Sequence, residues 1–253
     1  MKVLVTFAVG PEFAPWRRLR SFRRTSFEAV PVYESQMGVA ELRVLLTGVG
    51  PDHAAHAARG VMCDRPDLCI SSGLAGGLWP EYSAGEILAA RATCFAGGGS
   101  GIPSGESLVE LAIGCGARPV ERFWTSETLL RTAEEKSKLG READAVEMES
   151  YAVLAEAARW GVPAVAIRAV GETLEMDLPY DFSRALDARG GLSLPRLLAQ
   201  VAARPHRLPA LVHLGRQSRR ASVALAEFLD RYVRALPSWA NRPELAWEEV
   251  AAT

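Results

Sequence analysis

Apolar residues in this chain fall into short runs, separated by glycines and by stretches of helical spacing. Residues 2–9 (KVLVTFAV) form an apolar run with β-branched positions, which predicts a central strand. Gly10-Pro11 breaks it, and residues 12–19 begin a helix with Trp16 and Leu19 spaced to face a core. Residues 40–47 predict a second strand, ended by Gly48-Val49-Gly50. Pro51 and Asp52 suit the first turn of the helix that follows, through Met62. A third strand, 68–71, leads into a small-residue turn, Ser72-Gly73-Leu74-Ala75-Gly76-Gly77. Further strands are predicted over 86–92, 119–124 and 164–170, and helices over 107–113, 128–139 and 151–160. The stretch 97–105 (GGGSGIPSG) is too glycine-rich for regular structure.

Strands alternating with helices predict a single α/β domain. Its mostly parallel, mixed central sheet would be flanked by helices on both faces. After Pro179 the pattern changes: helical segments at 192–202, 208–214 and 218–235 carry arginines between apolar positions, with breaks at Pro205 and Pro209. No second sheet is predicted. The domain therefore spans 1–236, with 178–236 as its C-terminal helical part, and 237–253 is a loosely attached extension.

Composition narrows the class. A net charge of −1 gives no reason to expect a polyanionic partner, so nucleic acid is not expected. Basic charge is almost all arginine; the only lysines are Lys2, Lys136 and Lys138. Cys63, Cys69, Cys94 and Cys115 have no CxxC spacing and suit small buried hydrophobes in a reducing compartment. The opening residues lack a signal-peptide pattern and no apolar run reaches membrane-spanning length, so a cytoplasmic protein is expected.

Candidate chemistry is concentrated in acids at element ends. Glu12 follows the first strand, Glu149 begins the helix at 151–160, and Glu172 follows the strand at 164–170 across Gly171. In a parallel sheet such positions gather at one rim, where open α/β sheets bind ligands. Three acids there suit cleavage of an N-glycosidic bond. One protonated acid stabilises the departing base, a carboxylate activates water, and another accepts hydrogen bonds from ribose hydroxyls. Burial can keep an acid protonated near neutral pH. Competing motifs are weaker. Gly48-Val49-Gly50 begins a dinucleotide fingerprint, but His53 stands where the third glycine belongs. His53 and His56 lack a third metal ligand nearby, and no metal is expected. No P-loop or GxSxG motif is present.

These same residues resemble the nucleoside phosphorylase and nucleosidase superfamily. The matching segments are the opening strand with Glu12, LLTGVGPDHAA at 45–55, ISSGLAGGL at 70–78, VEMES at 146–150 and GVPAVAIRAVGET at 161–173. The resemblance implies a nucleoside phosphorylase-like fold and a site built from Glu12, Leu74, Ala75, Gly76, Leu129, Glu147, Met148, Glu149 and Glu172. Glu12 resembles the water-activating glutamate. Met148 resembles the residue beneath the ribose, Glu149 the acceptor for its hydroxyls, and Glu172 the acid that protonates N7 of the purine. The family usually has Ser-Asp where this chain has Gly171-Glu172, and a purine-stacking aromatic where it has Leu129. The chain is more similar to the adenosylhomocysteine/methylthioadenosine nucleosidases than to phosphate-loop phosphorylases. Residues 178–229 are similar to the hopanoid-associated phosphorylases, which implies release of adenine from adenosylhopane.

The implied partner is a small nucleoside, with a lipid tail and transient membrane contact in the hopanoid case, although no amphipathic anchor stands out. No cofactor is implied. Arg91 or Arg168 could bind an anion, which leaves phosphate open as a co-substrate. A homodimer is implied. Alternatives are a phosphorylase or nucleosidase acting on small nucleosides, a nucleoside-binding protein without catalysis, and a dinucleotide-dependent oxidoreductase.

Overall fold

A computed structural model describes residues 1–27, 30–95, 101–187, 190–191 and 193–240. In chain order its elements are β1 (Lys2–Phe7), α1 (Gly10–Leu19), β2 (Arg23–Phe27), β3 (Val30–Met37), β4 (Ala40–Leu46) and α2 (Pro51–Met62). There follow β5 (Leu68–Gly77), β6 (Ile87–Phe95), β7 (Ile102–Pro103), α3 (Glu106–Gly114), β8 (Arg118–Thr125), α4 (Ala133–Leu139) and β9 (Ala145–Glu147). The last are α5 (Ser150–Arg159), β10 (Ala164–Glu172), α6 (Leu194–Ala203) and α7 (Leu208–Ala240).

All strands join one mixed α/β sheet. Its centre is parallel: β4, β1, β5 and β10 run side by side in one direction. Antiparallel pairs add the β2–β3–β4 edge and join β10 to β6 and β5 to β9. Because β6 pairs with β8 and β8 with β9, the path β5–β10–β6–β8–β9 returns to β5. The sheet thereby closes on itself at one end and removes its own edge there.

The period-2 alternation of buried strands sorts side chains into two layers. Val3, Val5 and Phe7 of β1 pack with Phe13 and Trp16 of α1, with α3 and with α7. Leu4 faces the opposite layer, with Ala54 and Met62 of α2 and with Val153 and Leu154 of α5. Helices thus cover both faces, which is why β1 reads as a nearly unbroken apolar run.

Several local expectations change. The run at 72–77 is not a turn; β5 continues through Gly77 with both of its faces covered. Residues 128–131 lie outside α4, which starts only after Thr132 closes a capping box with Glu135. The segments 208–214 and 218–235 are one helix, because Pro209 sits in the first turn, where no backbone donor is lost. That helix runs past the expected boundary at 236, through Pro237 to Ala240, and Trp239 donates to Ser107 Oγ at 2.9 Å. Residues 241–253 lie outside the described residues. Leu19 is 51% exposed. At that end of α1 the contact with α7 is made instead by a two-armed pair between Arg20 and Asp230, 2.5 and 2.7 Å. Of the glycine-rich loop, 97–100 lie outside the described residues and 102–103 form β7.

Candidate active site

Glu12 lies in the first turn of α1, just beyond the carboxyl end of β1. Its carboxylate accepts backbone N–H bonds from Ala8 (3.1 Å), Val9 (3.4 Å) and Leu74 (3.1 Å). The backbone of β5 passes so close that a Cβ on Gly73 would stand 3.3 Å from a Glu12 oxygen; Gly73 also has a φ of +149°. Small residues in the SSGLAGG run are therefore required by side chains that press on the strand. Gly76 meets Val146 and Glu172 in the same way, with Val146 Cγ1 3.2 Å from its ideal Cβ.

Glu149 occupies the N-cap position of α5, after β9. Its Oε1 accepts the Gly50 N–H at 3.0 Å, and Gly50 holds a φ of +102°. The Gly48-Val49-Gly50 segment thus spends a donor on Glu149 and does not form a pyrophosphate cradle. The adjacent Glu147 is saturated from inside the protein. It accepts from the N–H groups of Glu149 (2.9 Å) and Ser150 (2.7 Å), from the Thr125 hydroxyl and from Arg168 Nη2 (2.7 Å). It lines the cavity as expected, and its carboxylate is also tied into the protein frame.

Arg168 is 1% exposed and spans the acids from β10. Besides Glu147 it reaches Glu149 Oε2 (3.7 Å) and Ser71 Oγ (3.3 Å). Its Nη2 lies between two buried carboxylates, so Arg168 clamps the acids together. Arg91 is half-exposed beside Glu121 at 3.5 Å.

Glu172 ends β10, past a register shift after Val170, and lies opposite Gly76. A side chain on Gly171 would meet Leu74 at 3.2 Å. Sequence reasoning missed its partner. Lys136 of α4 is fully buried, and its Nζ donates to Glu172 Oε2 (2.8 Å), Met176 O (2.9 Å) and Thr173 O (3.1 Å). All three ammonium donors are satisfied. Within AEEKSKL this lysine looks solvated; its only signal is the rarity of lysine in the chain.

All nine expected residues line one cavity of about 270 Å³, with Val9, Val49, Leu178, Phe182, Leu214 and Ser218 completing its wall. Nothing in the sequence singles out Leu178 or Phe182, since apolar residues at loop positions read equally well as core. Burial dominates the electrostatics. It raises the pKa of Glu12 against the opposing backbone donors and Arg168. It raises Glu172 against the pull of Lys136. Burial, assisted by the Glu147 charge, lifts Glu149 to about 8.

This has a consequence for stability. A carboxyl raised above its ordinary value binds its proton more tightly in the folded protein than in the unfolded chain. The stabilisation is full below the ordinary value of 4.5 and is lost as pH rises through about 8. The melting temperature of the ligand-free protein should fall between about pH 5 and about pH 8. Glu149→Gln should flatten part of that slope in scanning calorimetry; an unchanged slope would refute the assignment.

Comparison with known proteins follows the geometry. The sequence pattern of the phosphorylase superfamily matches residues 2–191. Comparison with curated proteins gives no match. Among solved structures, futalosine hydrolase of Helicobacter pylori strain 26695 superposes with a TM-score of 0.71 at 17% identity, covering 92% of this chain and 97% of that one. The 5'-methylthioadenosine/S-adenosylhomocysteine nucleosidase from Neisseria meningitidis, in complex with methylthio-immucillin-A, gives 0.70 at 19%, covering 92% and 99%. The corresponding Campylobacter jejuni nucleosidase gives 0.70 at 17%, covering 92% and 99%. With the superfamily pattern spanning β1 to β10 and these structures sharing the whole fold, the chain belongs to the phosphorylase superfamily and is an enzyme with the fold of its nucleosidases.

Proposed function

We propose that the enzyme hydrolyses the N-glycosidic bond of an adenosine-type nucleoside, releasing adenine, and that its substrate carries a bulky apolar 5′ group, as adenosylhopane does. One observation carries the reading: Glu12, Glu149 and Glu172 come from three separate segments and border one cavity, where three backbone N–H groups hold the Glu12 carboxylate and burial raises the pKa of Glu172. In this reading the C1′–N9 bond breaks with its electron pair leaving on the base. Glu172 gives its proton to N7, so that neutral adenine departs. Water adds to C1′ and loses a proton to Glu12, whose orientation is held by three backbone donors. Glu149, at the head of α5, accepts the ribose hydroxyls, and Met148 packs beneath the sugar. Leu74, Ala75, Gly76 and Leu129 border the base. Leucine in place of an aromatic offers apolar contact without ring stacking.

Water is favoured over phosphate as the acceptor because no arginine or lysine lines the cavity among the described residues, and Arg168 is held by two acids. Neither a cofactor nor a metal enters this scheme. Adenine release from adenosine, methylthioadenosine, adenosylhomocysteine and adenosylhopane, followed by liquid chromatography, should proceed at the same rate with and without inorganic phosphate. Strict phosphate dependence would overturn hydrolysis in favour of phosphorolysis. A bulky 5′ group would have to lie mostly outside the cavity. About 270 Å³ lies just below the ~300–1,000 Å³ of sites that enclose drug-sized ligands, so a polycyclic tail has no room within.

A further inference from the structure

We propose that α6 and the first half of α7 form a docking surface for an anionic membrane. α6 has no buried residue among its ten, and Leu194 and Leu198, one turn apart, are each 64% exposed. On α7, Leu208 and Val212 repeat the same spacing and are 45% and 44% exposed. Soluble helices put such a stripe against a core. Here it faces outward, while Leu225, further along α7, is buried in the core.

Charge selects the occupant. Residues 193–223 contain six arginines, two histidines and no acid, in a chain whose net charge is −1. Arg204, Arg216, Arg219 and Arg220 are exposed and form no salt bridge among the described residues; Glu227 is the nearest acid along α7. A second copy docked by a two-fold axis would set this basic face against itself. A polynucleotide would leave Leu194 and Leu198 in water. An interface of acidic headgroups over acyl chains takes both features: arginines at headgroup level, leucines beneath.

The cavity lies against another face of the same helix, where Leu214 and Ser218 line it, so the docking surface and the candidate site share α7. The docking does not rest on the function proposed above.

The test uses the full chain and vesicles of phosphatidylcholine alone or mixed with phosphatidylglycerol, separated by centrifugation. The chain should sediment with the anionic vesicles only, with at least a tenfold weaker association in high salt, since the attraction of basic residues to an anionic surface is screened. Leu194→Asp with Leu198→Asp, and separately Arg216→Glu with Arg219→Glu and Arg220→Glu, should each lower vesicle binding by tenfold or more. Neither set touches the cavity, so turnover of soluble adenosine should stay at the parent level and report that the variants fold. Equal binding to both vesicle types would overturn the proposal. So would self-association abolished by the leucine variants in analytical ultracentrifugation, or tighter binding to an oligonucleotide than to vesicles. Vesicle binding with no adenine released from any nucleoside would leave the docking standing and remove the proposed function.

Discussion

Glu172→Gln should abolish adenine release while leaving nucleoside affinity within a few-fold of the parent. Glutamine keeps the size of the side chain, and its amide oxygen can still accept the Lys136 ammonium now 2.8 Å from Glu172 Oε2. What it removes is the acidic proton, whose affinity for this carboxyl burial raises against the pull of Lys136. General acid catalysis supplies roughly 10²–10⁴-fold in rate, so a loss of that order is expected in single-turnover chromatography. Calorimetry with a slow or non-cleavable nucleoside should show binding retained. Full activity in the variant would end the acid role. Tight binding with no turnover in the parent protein would instead favour a nucleoside-binding protein. Glu172→Asp offers a geometric check. The chain carries one methylene more than the usual aspartate, and displacements near 1 Å cost on the order of a hundredfold.

The largest effect on stability should come from Arg168→Met. Its guanidinium is 1% exposed and lies 2.7 Å from Glu147 and 3.7 Å from Glu149. Methionine fills much of the volume but leaves two carboxylates facing each other without a counter-charge. Breaking a buried pair by deleting one partner costs about 3–5 kcal/mol, equivalent to a fall on the order of 10 °C in melting temperature for a chain of this size. Urea unfolding would measure it. Adding Glu147→Gln should recover part of the loss, because the orphaned charge goes with it. Strict additivity of the two substitutions, or an unchanged midpoint for Arg168→Met alone, would contradict the clamp.

The elements and the acids were legible in different ways. β1 and the first half of β10 are apolar runs because helices cover both of their faces, so their burial appears directly as sequence. Glu12, Glu149 and Glu172 stood out because each is a charge next to such a run, where solvation alone explains it poorly. β2 and β3 did not stand out. They form the outer edge of the sheet, and four of the five residues in Arg23-Arg24-Thr25-Ser26-Phe27 are polar because this edge strand is largely open to solvent. β5 was cut short since its glycines signal a turn; here they mark places where Glu12, Val146 and Glu172 crowd the strand.

From the sequence by itself came the α/β class, the parallel core, the two-layer cover and the identity of three acids, all of them properties that local periodicity and a residue's immediate neighbours carry. Tertiary structure alone decided which acids face a ligand and which are spent internally. Glu147 and Arg168 are 21 residues apart, Lys136 and Glu172 36 apart, and Gly50 and Glu149 99 apart. A buried charge is defined by the partner that compensates it, and nothing in the local pattern names a partner that only folding brings near.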